Sequence, residues 1–437
     1  TEIVGRSSTD QPIMDQSDEV SLDINEIANS LREQLKIKKA FSPACCIYRV
    51  PEPLRELNEK ACAPRVVSIG PIHHGKENLK AMEDHKIMYL QQFLEQSKVS
   101  VEDLINIIME NETQLRDCYA ETIDLRTKEF ATMIVLDAVF IIMLSLNMKH
   151  IYETRHDHIF YRPWKFFDVM CDMCLLENQL PFFILEKLFE LTSVAANTDN
   201  CTLIELTCLL LQNIMHEWVK EDSWKKLNSS EVLHFVDFIR KCQQPTVQNR
   251  QERGTGILRA PTATELHQSG VKFKHPEKSS LLDVSFSNGI LEIPQLTIHG
   301  RTEILFRNLQ AFEQCHCISE DKFVNEYIAF ISCLGSAPKD VGLLAHNENL
   351  KYLGNSDRAV SNLILILQKE SDVSVDGFLS GVCEELTLHC RKSRHKWKAT
   401  LKQVYFNNPW TGISVAAASF LLILTVIQTV CSILQLR

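Results

Sequence analysis

The sequence predicts a mainly α fold: a multi-helix globular body, a small antiparallel β element and one C-terminal transmembrane helix. Three features predict it. Apolar residues recur at helical spacing over much of the chain, and Gly and Pro are sparse at 14 each in 437 residues, which favours long helices. Ser287-Asn288-Gly289 separates the strand-like runs LLDVSF and ILEIPQLTI, and Asn-Gly between such runs is a strong hairpin signal. Finally, residues 412–434, GISVAAASFLLILTVIQTVCSIL, carry no charge. At about 23 residues they are long enough to cross a hydrocarbon core as a helix.

Residues 1–20 are polar and acidic, with Asp10, Asp15, Asp18 and Glu19. They lack a hydrophobic period and read as a disordered leader, without the basic start and apolar centre of a secretory signal. The body is expected over 21–402. Its helical part spans about 21–242, a mobile loop about 243–259, and the β element with further helices about 260–402. Ser21 reads as an N-cap ahead of Leu22, Ile27, Leu31 and Leu35 at helical spacing. Pro43 to Pro71 is punctuated by Pro and Cys and is expected to be irregular but ordered. Lys76 to Leu94 returns to a helical period through Leu79, Met82, Ile87 and Leu90.

Phe130 to Met148 is the second most apolar stretch, with Asp137 near its middle. Its apolar residues favour insertion by roughly 3–5 kcal/mol, but a central Asp costs about 3. A buried helix of the body is therefore expected in preference to a second span. A carboxylate inside such a helix needs a partner. Trp164 to Leu191 reads as helical with a break at Pro181, and Thr202 to Trp218 and Glu231 to Lys241 as shorter amphipathic helices. Gln243 to Arg259, rich in Gln, Arg, Pro and Gly, reads as the loop. Val271 to Lys274 is expected to add a third strand, and Thr302 to cap a helix through Phe312.

The terminal span contains a dozen Leu, Ile, Val or Phe residues, which contribute roughly −4 to −7 kcal/mol to insertion. Arg391, Lys392, Arg394, Lys396, Lys398 and Lys402 precede it, and only Arg437 follows. The positive-inside rule then puts the body in the cytoplasm. The basic cluster also suits anionic lipid, and Trp410 an interfacial anchor. The 15 cysteines are odd in number and lack framework spacing, as expected of reduced, buried thiols. The glycosylation sequons at Asn111, Asn200 and Asn228 point the other way, toward an extracellular body.

A net charge of −10 and pI ≈ 5.9 argue against nucleic-acid binding. The candidates for chemistry are few. His73-His74 in GPIHHG reads as a tight turn rather than a metal site, because adjacent His residues cannot easily share one ion. His150, His156, Asp157 and His158 lie between apolar helices, where a polar surface loop is the plain reading. Cys171-x-x-Cys174 has redox-motif spacing but sits in an apolar helical run, so core thiols are expected. Cys315-His316-Cys317 lacks a second paired half. His216-Glu217 begins like a zinc-protease helix, but Lys220 replaces the second His. PFFILEKLF reads as core. Phosphate-loop, nucleophile-elbow and dinucleotide fingerprints are absent.

Four segments together resemble a plant-specific family, domain of unknown function 247. They are IYRVPEPLRELNEKACAPRVVSIGPIHHGKENLKAMEDHKIMYLQQFL from Ile47, LLENQLPFFILEKLF from Leu175, GVKFK through LLDVSFSNGILEIPQLTIHGRTEILFRNLQAFEQC from Gly270 to Cys315, and WKATLKQVYFNNPWTGISVAAASFLLILTVIQT at the end. They follow the family's order. Ala138-Val139 stands where relatives usually show Gly-Cys, a departure that touches core packing. The resemblance implies a plant protein with one C-terminal span and no established catalytic residue. Some grass members are implicated as pollen-side determinants of self-incompatibility, and others in growth or stress responses.

The expectation is a non-enzymatic, membrane-anchored interaction or signalling protein. The lipid bilayer would be its partner through residues 412–434, together with an unidentified protein. No catalytic, cofactor-binding or metal residue is assigned, and no nucleic acid or small-molecule substrate. Two alternatives stand beside it: an enzyme using the histidines at 73–74 or around Asp157, and a receptor-like protein with an extracellular body.

Overall fold

In the computed structural model the described residues are 24–33, 42–149, 157–191, 201–215, 223–245, 258–276, 279–373, 377–392 and 409–435. The acidic leader, Ser21, most of the 243–259 loop, His150, His156, His216-Glu217, Asn200 and the basic residues from Arg394 to Lys402 lie outside them. The chain forms two compact units, Thr1–Cys45 and Cys46–Arg437. In the first, residues 24–33 form helix α1, with Ile24, Ile27 and Leu31 exposed along one side.

The second unit is mainly helical, as expected. Its first half contains α2 (Glu52–Leu57), α3 (Glu83–Ser97), α4 (Val101–Asp117), α5 (Thr127–Lys149), α6 (Pro163–Met173), α7 (Phe182–Glu190), α8 (Leu203–Met215) and α9 (Phe235–Cys242). Ser100 starts α4 with a capping box, its hydroxyl accepting from the Asp103 amide while the Asp103 carboxylate accepts from the Ser100 amide. α5 is the central helix. It is apolar on all sides, and α3, α4, α7 and α8 pack against it, which is how a helix without a polar face is accommodated. By length and composition it could cross a membrane, but 83% of its apolar window is buried in the body.

The second half contains α10 (Ala263–Gln268), α11 (Thr302–His316), α12 (Phe323–Leu334), α13 (Pro338–His346), α14 (Asp357–Gln368) and α15 (Ser380–Arg391). Thr302 is the first residue of α11 rather than its cap, and its hydroxyl accepts from the His299 amide at 3.0 Å. Helix α16 (Pro409–Gln435) closes the chain. Its apolar stretch Ala417–Cys431 is shorter than a membrane span.

The β element corrects the sequence reading. β2 (Ser285–Ser287) and β3 (Ile290–Glu292) form the expected antiparallel hairpin, with Phe286 opposite Leu291. Asn288 and Gly289 have φ of 50° and 75°, the two left-handed residues of a hairpin turn. The third strand, β1 (Lys272–Lys274), joins β3 in parallel, so the sheet is mixed and not purely antiparallel. β4 (Leu296–Ile298) pairs in parallel with β5 (Leu350–Tyr352), across three intervening helices. Strands of three residues show too little alternation for sequence to announce such a pairing.

Candidate functional site

The segment from Cys46 to Gly75 is mostly irregular, yet much of it is buried. Buried backbone amides need partners, and outside helix or sheet these must come from side chains. Here they come from CLLENQLP, the eight-residue connection Cys174–Pro181 between α6 and α7, and its flanks. The expected single break at Pro181 is therefore a structured turn, Cys174–Pro181.

Asp172 accepts from three successive amides, those of Arg65, Val66 and Val67, at 2.7–2.9 Å. Burial nevertheless pushes its carboxyl up to about 6, against the three amides that lower it. Asn178 accepts from the Ile69 amide at 2.7 Å and donates to the Val67 carbonyl at 3.1 Å. Gln179 donates to the Met173 and Leu175 carbonyls and accepts from the Phe235 amide, tying the turn to α9. Asn308 of α11 donates to the Ala61 carbonyl and accepts from the Leu176 amide, linking both segments to the second half.

Glu177 is the charged centre. Its side chain is fully buried, and it accepts from the Val50 amide at 2.8 Å and from Arg55. His73 Nε2 lies 3.1 Å away, and Arg49 Nη1 3.9 Å. Burial raises the Glu177 carboxyl, but His73, the Val50 amide and Arg55 outweigh it and hold it below its ordinary value. Burial lowers His73 more than Glu177 raises it. The resulting state is a carboxylate facing two guanidinium groups and a neutral imidazole.

Gly70 completes the clamp. Its amide donates to Asp137 Oδ2 at 2.7 Å. Its φ is +73°, and a Cβ there would lie 2.5 Å from the Gln179 carbonyl oxygen. Asp137, the carboxylate inside the central apolar helix, has the partner it requires: Lys86 Nζ, 2.6 Å from Oδ1. Lys86 also donates to the Ser68 carbonyl at 2.7 Å and to Glu83 at 2.6 Å. Asp137 and Glu83 outweigh burial and hold the Lys86 ammonium above its ordinary value.

The histidine turn is split by the fold. His73 points inward to Glu177, whereas His74 lines an outer groove with Lys128, Glu129 and Thr132. Asp157 accepts the Tyr89 hydroxyl at 2.7 Å and the Ile159 amide at 2.8 Å. Exposed His158 stands 5.9 Å from His85, ring to ring. Lys165 donates to His85 Nε2 at 3.1 Å. His85, Tyr89, Asp157 and His158 share an open groove of about 250 Å³. Burial, then Lys165 and His158, lower the His85 imidazole.

Cys171 and Cys174 are buried thiols of the α6 end, with burial pushing Cys171 up to about 11. His316 stacks on Phe312, and its Nδ1 lies 3.0 Å from the Tyr48 hydroxyl. Burial pushes Cys317 up to about 11. Among the described residues no three His, Cys, Asp or Glu side chains gather as a metal site. PFFILEKLF is core, with Phe182, Ile184, Leu185, Leu188 and Phe189 buried.

Two blocks distant in sequence, one opening at Ile47 and the other at Leu175, thus form a single hydrogen-bonded unit. The chain is a mainly helical protein organised around this unit. The chain belongs to domain of unknown function 247, plant proteins of unknown function, whose family model matches residues 47–424. It is 31% identical over 432 residues to UPF0481 protein At3g47200 of Arabidopsis thaliana, covering 92% of this chain and 89% of that one. It is 22% identical over 519 residues to putative UPF0481 protein At3g02645 of the same plant, covering 97% and 96%. No solved structure matches it at a significant level.

Proposed function

We propose that this protein is a non-enzymatic, membrane-anchored interaction protein whose helical body presents a surface to a protein partner. The observation that carries this reading is the surface of α16. Ile413, Phe420, Leu421, Leu422, Ile423, Leu424, Val426, Ile427 and Val430 are between 41% and 67% exposed. Leaving such side chains about half in water forgoes on the order of 1 kcal/mol each. The described apolar stretch Ala417–Cys431 alone is shorter than a span, and the proposed membrane segment is the whole charge-free run 412–434, about 23 residues. The basic residues ahead of it favour a cytoplasmic body. So does Asn111, whose amide lies mid-helix in α4 and is already bonded to the Ile107 carbonyl and Lys187.

The chemistry of the clamp supports a binding role over catalysis. Asp172, Glu177 and Asp137 hold backbone amides, and His73 is 1% exposed. Flotation of the full chain with liposomes, against a chain ending at residue 408, tests the anchor. The full chain is expected to float and the shorter one to remain at the bottom. Equal behaviour of the two would remove the basis of the proposal.

The groove at His85, Asp157 and His158 favours a second reading, an enzyme with a His-based site. A turnover lost on His85→Ala and His158→Ala without loss of folding would establish it.

A further inference from the structure

We propose that Cys46 and Cys118 form a peroxide-sensitive thiol pair that closes to a disulfide, welding the entry of the clamped segment to the end of α4. Ile47 and Tyr119 form an isolated parallel bridge. The amides of Cys46 and Ile47 both donate to the Cys118 carbonyl at 2.9 Å, and the Ala120 amide donates back to the Ile47 carbonyl at 2.9 Å. Cys118 is itself the αR C-cap of α4, and the direct bond from the Cys46 amide to its carbonyl makes the two residues backbone neighbours. A backbone N–H···O=C bond holds the two Cα atoms roughly 5–6 Å apart, within the separation a disulfide accepts, about 4.4–6.8 Å.

The sulfur chemistry is consistent with that placement. Interaction with the Cys46 side chain holds the Cys118 thiol below its ordinary value despite burial, while the Cys118 thiol also donates to the Gln114 carbonyl at 3.3 Å. Burial instead raises Cys62, Cys171, Cys174, Cys208, Cys242 and Cys383. A favoured thiolate is the reactive form of cysteine, and a neighbouring thiol serves to resolve its first oxidation product. Both residues are buried, which selects a small oxidant.

The step balances with hydrogen peroxide as the oxidant. The Cys118 thiolate attacks one peroxide oxygen, the O–O bond breaks, and the departing hydroxide takes a proton to become water. The Cys46 sulfur then attacks the Cys118 sulfenic sulfur. The S–OH bond breaks, the thiol proton and the hydroxide leave as a second water, and the S–S bond forms. Two thiols are oxidised by two electrons and one peroxide is reduced.

The test uses the full chain in lipid nanodiscs, treated with hydrogen peroxide, then with an alkylating agent, and digested with trypsin without reduction. Cys46 lies in the peptide 40–49 and Cys118 in 117–126. The expected main product joins these two peptides. Two of the 15 thiols are then no longer alkylated, and a dithiol reductant restores both. The link persists in Cys45→Ser and is absent in Cys118→Ser. In Cys46→Ser, Cys118 is trapped by dimedone as the sulfenic acid. The proposal is overturned if both thiols of the unmutated chain stay alkylatable, or if either bonds to a different cysteine.

Discussion

Gly70 carries the tightest steric requirement at the clamp. A side chain there meets the Gln179 carbonyl and a left-handed backbone at once. Gly70→Ala is expected to lower stability by about 2–5 kcal/mol, the sum of a left-handed penalty and overpacking. A denaturant midpoint unchanged from the parent would contradict this. His234 sets part of the pH response. It caps α9 by accepting the Asp237 amide at 3.3 Å, and its Nε2 lies 3.0 Å from the Cys46 carbonyl. Burial lowers its imidazole to about 4 from the ordinary 6.5. The unfolded chain therefore takes up a proton first as pH falls. The stability His234 contributes is complete above pH 6.5 and is lost as pH falls to about 4, about 3 kcal/mol in all. Asp172 acts oppositely: raised from 3.8 to about 6, its contribution is complete below 3.8 and is lost as pH rises through 6. His234→Asn keeps a capping side chain, so the loss between pH 6.5 and 4 should shrink. A slope equal to the parent's would show that the titrating group lies elsewhere.

At the scale of elements, the pair Lys86–Asp137 joins α3 to the middle of α5. Removing one partner leaves a charge in an apolar interior, which costs about 3–5 kcal/mol. Lys86→Met alone should show that loss in chemical denaturation. Lys86→Met with Asp137→Leu should recover most of it, minus the Gly70 amide and Ser68 carbonyl left without their partners. A double variant as weak as the single would mean that Asp137 acts mainly through Gly70. The need for this pair was legible in sequence, because one carboxylate in a long apolar helix requires a counter-charge. The identity of Lys86 was not, because a lysine on an amphipathic helix reads as solvated. The Asn-Gly hairpin was legible for a similar local reason. β1 was legible as a strand near Val271, but its parallel pairing and the strand β5 were not, since these depend on crossovers that leave no local mark. Glu177-Asn178-Gln179 stood in plain view as three polar residues in an apolar run. Only the fold reveals that they face the segment opening at Ile47, more than a hundred residues earlier.

On the scale of the whole molecule, two features support the proposed role. The buried clamp fixes an irregular segment across the helical body, and its charged groups are engaged with backbone amides and with one another. The terminal helix presents an apolar surface that water does not favour. On the proposed reading they together describe a body held at a membrane and open to a partner on one side. The side decides the partner's nature, and protease protection combined with glycosidase treatment of the full-length protein in native membranes tests it most directly. The account predicts a body digested from the cytosolic side, carrying no glycan, with the terminal segment protected. A body that is protected in sealed vesicles and shrinks on deglycosylation would contradict it and make an extracellular ligand the object of search.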